Sequence, residues 1–171
     1  MGAGKTTVGR ELAARLRWKF VDLDDVVVEE AGKPVPQIFA ELGEAVFREH
    51  EHRALVRVLD NVPQSPMVIA LGGGAFVQAA NAEVILRSAI STVFLDAGVD
   101  TLLLRCHRER KVRPLAQNEN QFRQLYEQRR NGYMKAEHRV ETAGKAVREI
   151  VTEIVSRLGW SDEVFEVQQT R

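Results

Sequence analysis

Met1-Gly2-Ala3-Gly4-Lys5-Thr6-Thr7 opens the chain, and the reading of this stretch decides the fold. In the phosphate-loop pattern G-x-x-x-x-G-K-[ST], small residues let backbone N–H groups close around a nucleotide's phosphates. The lysine reaches the β- and γ-phosphates and the hydroxyl holds Mg²⁺. Gly4, Lys5 and Thr6 supply the last three fixed positions. The first glycine of the pattern would fall ahead of Met1. A loop of this kind sits between a strand and a helix. Val8, Leu12 and Leu16 recur at a spacing of four, with Ala13 beside them, so the helix is expected. The strand has no counterpart in the sequence, and we expect the gene to extend upstream, with Met1 an internal residue of the loop.

At 171 residues the chain is expected to form one domain with a sizeable core. A formal net charge of zero and a pI near 6.9 argue against a general nucleic-acid surface, which needs a basic excess. Cys106 is the one cysteine, which excludes an internal disulfide, and its apolar helical surroundings favour packing over nucleophilic work. No apolar run approaches the roughly 18 residues of a membrane span, and no signal peptide opens the chain, so a cytoplasmic protein is expected. The histidines, His50, His52, His107 and His138, lack metal-ligand spacing and read as surface or packing residues.

Past the first helix, Trp18 to Val21 reads as a buried strand that delivers Asp22-Leu23-Asp24 at its C-terminal end, where open α/β sheets place their ligands. Val26 to Ala31 reads as a short helix. Pro36 opens another with Gly43 as its stop, and Glu44 to Leu59 forms a longer one. Met67 to Leu71 is a continuous apolar run between Pro66 and Gly72-Gly73-Gly74, expected to be a central buried strand. Asn81 is placed as the cap of a helix reaching Ser88. Thr92 to Leu95 makes a further strand, and Val99 to Cys106 a leucine-rich helix. A basic loop ends at Arg113-Pro114. Helical periodicity returns through Phe122, Leu125 and Tyr126, with Arg129-Arg130 near the end of that helix. His138 to Thr142 reads as a last strand and Val147 to Leu158 as a final amphipathic helix. This alternation predicts an α/β fold of three layers, a central parallel sheet between helices.

The sequence places four features at one edge of such a sheet. An isolated D-x-D is more often a helix cap and a solvated acid, but following a phosphate loop by one helix it suits Mg²⁺ held through water at Asp22. Asp24 lies on the same face if the strand continues, where it would orient a substrate hydroxyl or accept its proton. The glycines Gly72, Gly73 and Gly74 would let a small polar ligand approach the backbone. Arg48 and Glu51 stand at i, i+3, either a surface ion pair or a buried one that orients the guanidinium to grip a carboxylate. Arg129 admits the same two readings. In the loop from Arg105 to Arg113, Arg113 is the cation best placed to offset γ-phosphoryl charge, beside the stiffening Pro114.

Together these stretches resemble the shikimate kinases, small phosphate-loop kinases of the nucleoside-monophosphate-kinase type. The matching residues are Gly2 to Gly9, Asp22-Leu23-Asp24, Ile38-Phe39 with Gly43-Glu44, Phe47-Arg48-Glu49-His50-Glu51, Leu71 to Gly74, Val93-Phe94-Leu95 and Arg113-Pro114-Leu115. The resemblance implies ATP-dependent phosphorylation of the shikimate 3-hydroxyl in aromatic amino-acid synthesis, by a single kinase domain. Its lid would span about 107–118 and its shikimate-binding helices about 25–60, followed by a tail at 159–171. It implies that Gly2, Ala3, Gly4, Lys5, Thr6 and Thr7 bind ATP phosphates, that Thr6 and Asp22 serve Mg²⁺, and that Arg113 closes over the phosphates. Lys5, Asp24 and Arg113 would be the catalytic groups. Asp24, Arg48, Gly73, Gly74 and Arg129 would bind shikimate, with Gly72 beside them. Arg110 and Lys145 are candidates for the adenine, and a monomer is expected.

Two departures stand out. The family's Arg-x-Pro-x-Tyr appears here as Arg129-Arg130-Asn131-Gly132-Tyr133, so Arg129 is chosen by spacing back from Tyr133. The lid motif reads Arg113-Pro114-Leu115-Ala116 where a second leucine is common. Two other functions stay open: a gluconate-type small-metabolite kinase, which these residues do not separate from a shikimate kinase by physics alone, and a kinase-like domain that senses an acid without phosphorylating it, against which Lys5, Thr6, Asp22, Asp24 and Arg113 argue.

Overall fold

The computed structural model describes residues 2–108 and 118–160. It divides into two compact units, Leu12–Ile90 on one side and Met1–Glu11 with Ser91–Arg171 on the other. Arg110, Arg113, Pro114 and most of the expected lid and tail lie outside the described residues.

In the unit Leu12–Ile90, strand β1 (Lys19–Asp22) pairs in parallel with β2 (Met67–Ala70), Lys19 opposite Met67 and Asp22 opposite Ala70. The helices are the end of α1 (Lys5–Leu16), α2 (Leu23–Ala31), α3 (Val35–Asp60) and α4 (Ala79–Arg87). The apolar faces of α2, α3 and α4 enclose Leu23, Val27, Ile38, Phe47, Ala54 and Leu55. Each large side chain buried this fully contributes about 1.5–3 kcal/mol. The expected enclosed central strand is corrected: Met67, Val68 and Ile69 are half-buried and Ala70 is the buried residue of β2. Among the described residues β2 is hydrogen-bonded to β1 alone.

Helix boundaries follow local chemistry. The strand does not continue through the acids, the condition on which Asp24 would share the face of Asp22. It ends at Asp22, whose carboxylate caps α2 by accepting from the Asp24 N–H at 3.3 Å. Asp24 and Asp25 then fall in the first helical turn, where the positive end of the helix dipole favours acids. Helix α3 carries both helices expected around Gly43 as one run of 26 residues, broken at Gly43 (φ 82°, ψ 172°). Helix α4 begins ahead of Asn81, so Asn81 is not its cap. Its buried side chain donates to the Ala75 carbonyl at 3.1 Å and meets His52 Nδ1 at 2.7 Å.

In the other unit, β3 (Val93–Asp96) pairs in parallel with β4 (His138–Glu141), Val93 opposite His138 and Asp96 opposite Glu141. Helices α5 (Val99–Arg108) and α6 (Glu119–Tyr133) close over a cluster of Ala97, Leu102, Leu103, Cys106 and Phe122. Cys106 is thus a packing residue, as expected. Asn118 caps α6 by accepting from the Gln121 N–H at 3.1 Å, and α7 (Val147–Arg157) buries Ile150, Val151, Ile154 and Val155. Among the described residues the strands therefore form two parallel pairs, β1 with β2 and β3 with β4. No helix there is long and apolar enough to cross a membrane.

A Cβ at Gly43 would meet nothing within 4 Å, so an alanine there suffers from backbone conformation and not from crowding. Gly43→Ala is expected to lower stability by about 1–3 kcal/mol. The measurement is the urea midpoint at constant slope, and an unmoved midpoint would show that α3 re-forms through the break without strain.

Candidate active site

The phosphate loop belongs to the unit that holds β3 and β4. Gly2 and Gly4 both adopt left-handed backbone, with φ of 67° and 83°. At Gly2 space is a second constraint, because a Cβ would lie 2.8 Å from the Leu102 carbonyl oxygen and 3.0 Å from Cys106 Sγ. The loop is thereby pressed against α5, with Ala3 packed on the same apolar cluster. The Gly4 carbonyl accepts the first helical hydrogen bond, from the Val8 N–H at 2.8 Å. Lys5, Thr6 and Thr7 consequently occupy the first turn of α1. No carbonyl of the helix itself can satisfy N–H groups in a first turn, and together with the helix dipole they favour a bound anion.

A second constellation lies in the unit Leu12–Ile90. Arg48 donates from Nη1 to Glu51 Oε2 at 2.8 Å, and from Nε and Nη2 to Glu44 Oε1 at 3.2 and 2.9 Å. Of the two possibilities read for Arg48 and Glu51, the buried one is found, since Glu51 is 1% exposed. Removing one partner of such a pair strands the other charge, a cost of about 3–5 kcal/mol. Burial pulls the Arg48 pKa down, but the hydrogen bond and charge of Glu51, followed by those of Glu44, outweigh it and hold the guanidinium above its ordinary value. The Phe47 ring supports it from below, with Cζ 5.1 Å from the ring centroid.

The glycine triplet meets this constellation directly. A Cβ at Gly72 would stand 2.8 Å from Asp24 Oδ1 and 3.0 Å from Glu51 Oε1, and one at Gly74 would fall on the Arg48 guanidinium. The bare Cα positions of Gly72 and Gly74, read from the sequence as room for a ligand, are filled here by the protein's own acid and base side chains. Gly73 stands between them in the turn that follows β2. The structure thus brings Asp24, Arg48, Gly72 and Gly74 together, and adds Glu51 and Gln78.

Of the adjacent arginines on α6, Arg130 is the one committed to structure. It donates from Nη2 to Asp96 Oδ2 at 3.0 Å and from Nε to the Tyr126 hydroxyl at 3.1 Å, while Arg139 Nε reaches the same Asp96 oxygen at 2.7 Å. The Tyr126 bond, joined by the charge of buried Asp96, raises the Arg130 pKa. Arg129 is half-buried and, among the described residues, has no hydrogen-bond or ion-pair partner. Arg105, placed at the head of the basic loop in the sequence, is a helix residue that donates to the Thr142 hydroxyl at 3.0 Å and carbonyl at 2.7 Å. Lys145 is bonded to Glu153 at 2.6 Å. Among the described residues no group of three or more His, Cys, Asp and Glu is disposed to hold a metal ion.

Sequence reasoning missed Asp96, Gln78 and the pairing of His52 with Asn81. Asp96 ends a strand, a position where an acid earns attention on general grounds. Gln78 carries no sequence signal.

The family model for shikimate kinase matches residues 1–159. The chain belongs to the shikimate kinase family. It is 43% identical over 159 residues to the shikimate kinase of Geobacter sulfurreducens, covering 91% of this chain and 85% of that protein. Its structure superposes on the shikimate kinase of Acinetobacter baumannii in complex with shikimate with a TM-score of 0.83 at 36% identity, covering 92% of this chain and 88% of that one. A gluconokinase from Sinorhizobium meliloti superposes with a TM-score of 0.60 at 19% identity, over 100% of this chain and 93% of that one, a likeness of fold alone. The chain is accordingly an ATP-dependent kinase of the alcohol-phosphorylating class, with the α/β kinase fold and shikimate as its acceptor.

Gly74→Ala is expected to dislodge the Arg48 guanidinium. Shikimate KM should rise roughly tenfold, the factor equivalent to about 1.4 kcal/mol, while ATP KM stays put. Steady-state kinetics with each substrate varied checks this; equal changes in both would place the effect outside the Arg48 constellation.

Proposed function

We propose that the chain transfers the γ-phosphoryl group of Mg²⁺-bound ATP to the 3-hydroxyl of shikimate, with the constellation around Arg48 gripping the shikimate carboxylate. The observation that carries this reading is the donor count at Arg48. A guanidinium has five N–H donors. Three are used, by Glu44 twice and by Glu51 once, which leaves one on each terminal nitrogen. Those two are the pair that a carboxylate takes in parallel. Asp24, against Gly72 in the same constellation, supplies the acceptor that a nearby hydroxyl requires. Arg129, half-buried and without a partner among the described residues, suits a second contact to the carboxylate.

On the nucleotide side, Gly2, Ala3, Gly4, Lys5, Thr6 and Thr7 would surround the phosphates, Lys5 supplying positive charge against the negative charge on the transferring group. The Thr6 hydroxyl and the Asp22 carboxylate would hold Mg²⁺. That donor set fits the ion, which takes one or two protein oxygens and completes its shell with phosphates and water. When bound it neutralises phosphate charge. In the transfer the shikimate oxygen bonds to the γ-phosphorus as the bond to the β-phosphate bridge oxygen breaks, ADP leaves, and Asp24 takes the hydroxyl proton. Arg113, outside the described residues, would add its charge from a lid near 107–118, with the substrate helices near 25–60 part of the same kinase domain. We further propose that the enzyme works as a monomer in the cytoplasm, where its lone thiol stays reduced.

A coupled ADP-release assay tests the assignment, with shikimate and gluconate as acceptors, on this chain and on one extended upstream. Turnover is expected with shikimate alone. Asp24→Asn should lower kcat by roughly 10²–10⁴, and Arg48→Ala should raise shikimate KM while ATP affinity holds. Equal loss of ATP binding in Arg48→Ala, or turnover of gluconate in place of shikimate, overturns the reading.

A further inference from the structure

We propose that Gln78 is a positioning residue for shikimate: through Glu51 it fixes the Arg48 guanidinium in the orientation that leaves two parallel donors for a carboxylate. The inference rests on the reading of Arg48 given above and names what holds that residue in place. Glu51 Oε2 accepts two bonds, from Arg48 Nη1 at 2.8 Å and from Gln78 Nε2 at 2.6 Å. A carboxylate can only accept, so its partner on Gln78 is the amide nitrogen and not the oxygen. Arg48 and Glu51 sit on one helix and would move together. Gln78 comes from the turn ahead of α4, distant in sequence, and so supplies an outside anchor.

That anchor is itself secured. The turn from Gly72 closes through the Ala75 N–H to the Gly72 carbonyl at 3.1 Å, and Asn81, fully buried, donates to the Ala75 carbonyl at 3.1 Å. His52, the residue after Glu51, meets Asn81 at 2.7 Å. Consecutive residues of α3 thus clasp the same short segment, one through Gln78 and one through Asn81. Gln78 also has the right charge. A neutral donor leaves the Glu51 charge to balance Arg48, whereas a cation would compete with Arg48 for it and a carboxylate would repel it. Among the described residues, the charged or titratable groups that these contacts place around Glu51 are Arg48 and Glu44 of α3, Asp24 of α2, and His52.

The test uses Gln78→Met, which keeps bulk and removes the donor, and Gln78→Glu. Gln78→Met is expected to raise shikimate KM roughly tenfold, with kcat and ATP KM within about twofold. In an Arg48→Ala background the same change should add almost nothing, the mark of residues acting as one. Gln78→Glu sets two carboxylates in contact, which must share a proton. Its shikimate KM should therefore climb as pH rises from about 5.5 to 8, beyond any slope of the parent. Shikimate KM unchanged in Gln78→Met, or full additivity with Arg48→Ala, overturns the proposal while leaving the role of Arg48 intact. If Arg48→Ala itself leaves shikimate KM unchanged, the reading beneath it fails first. Should Gln78→Met not fold, the pH slope of Gln78→Glu decides, a flat profile counting against us.

Discussion

A carboxylate with 1% of its surface exposed, Glu51, is the constraint on which the constellation around Arg48 depends. Taking such a charge out of water costs several kcal/mol unless a partner and further hydrogen bonds replace the lost hydration. Arg48 and Gln78 supply them, and each demand propagates. Arg48 needs room for its guanidinium, so Gly74 has no side chain. Asp24 and Glu51 need room at the end of β2, so Gly72 has none. Gln78 needs a fixed turn, so Asn81 is buried under it. What looks in sequence like a glycine run and a scattering of polar residues is one electrostatic assembly built against a strand end.

The phosphate-loop stretch obeys a different constraint, backbone shape. Gly2 and Gly4 turn the chain through left-handed conformations and lead it into α1, whose first-turn N–H groups favour an anion. The pressure of Leu102 and Cys106 on Gly2 ties this loop to the apolar packing of α5. A cysteine with no chemistry of its own therefore still constrains the backbone of this loop, through volume.

How far the sequence was legible follows from which of these constraints is local. Phosphate-loop residues, helix α7 and the parallel strands are specified by neighbours a few positions away, and their elements fall where spacing and apolar runs put them. The buried pairing of Arg48 with Glu51 was legible as one of two options, because i, i+3 spacing gives proximity but not depth. Strand β1 ended early because Asp22 found a local use as a cap, which spacing alone does not reveal. Asn81 was misread for the opposite reason: its type favours a cap, but contacts with Ala75 and His52, 29 residues away for the latter, override the local preference. Gln78 was invisible, since a glutamine's role depends wholly on what stands opposite it.

Adjacent arginines on α6 show how such a distant contact assigns roles that no motif can. Successive residues of a helix point about 100° apart, so one buried acid can hold only one of Arg129 and Arg130 from a given side. Asp96, at the end of β3, holds Arg130 and shares its oxygen with Arg139 of β4, which fastens the last turn of α6 to the strand pair. With Oδ2 shared in this way, that oxygen has little left to offer Arg129. A guanidinium that keeps its donors while its neighbour carries the structural bond is free of the competition that would weaken it toward a ligand anion. The asparagine at 131, where the family motif has proline, leaves this arrangement standing, because the fastening runs through the Arg130 and Tyr126 side chains and not through the backbone at 131.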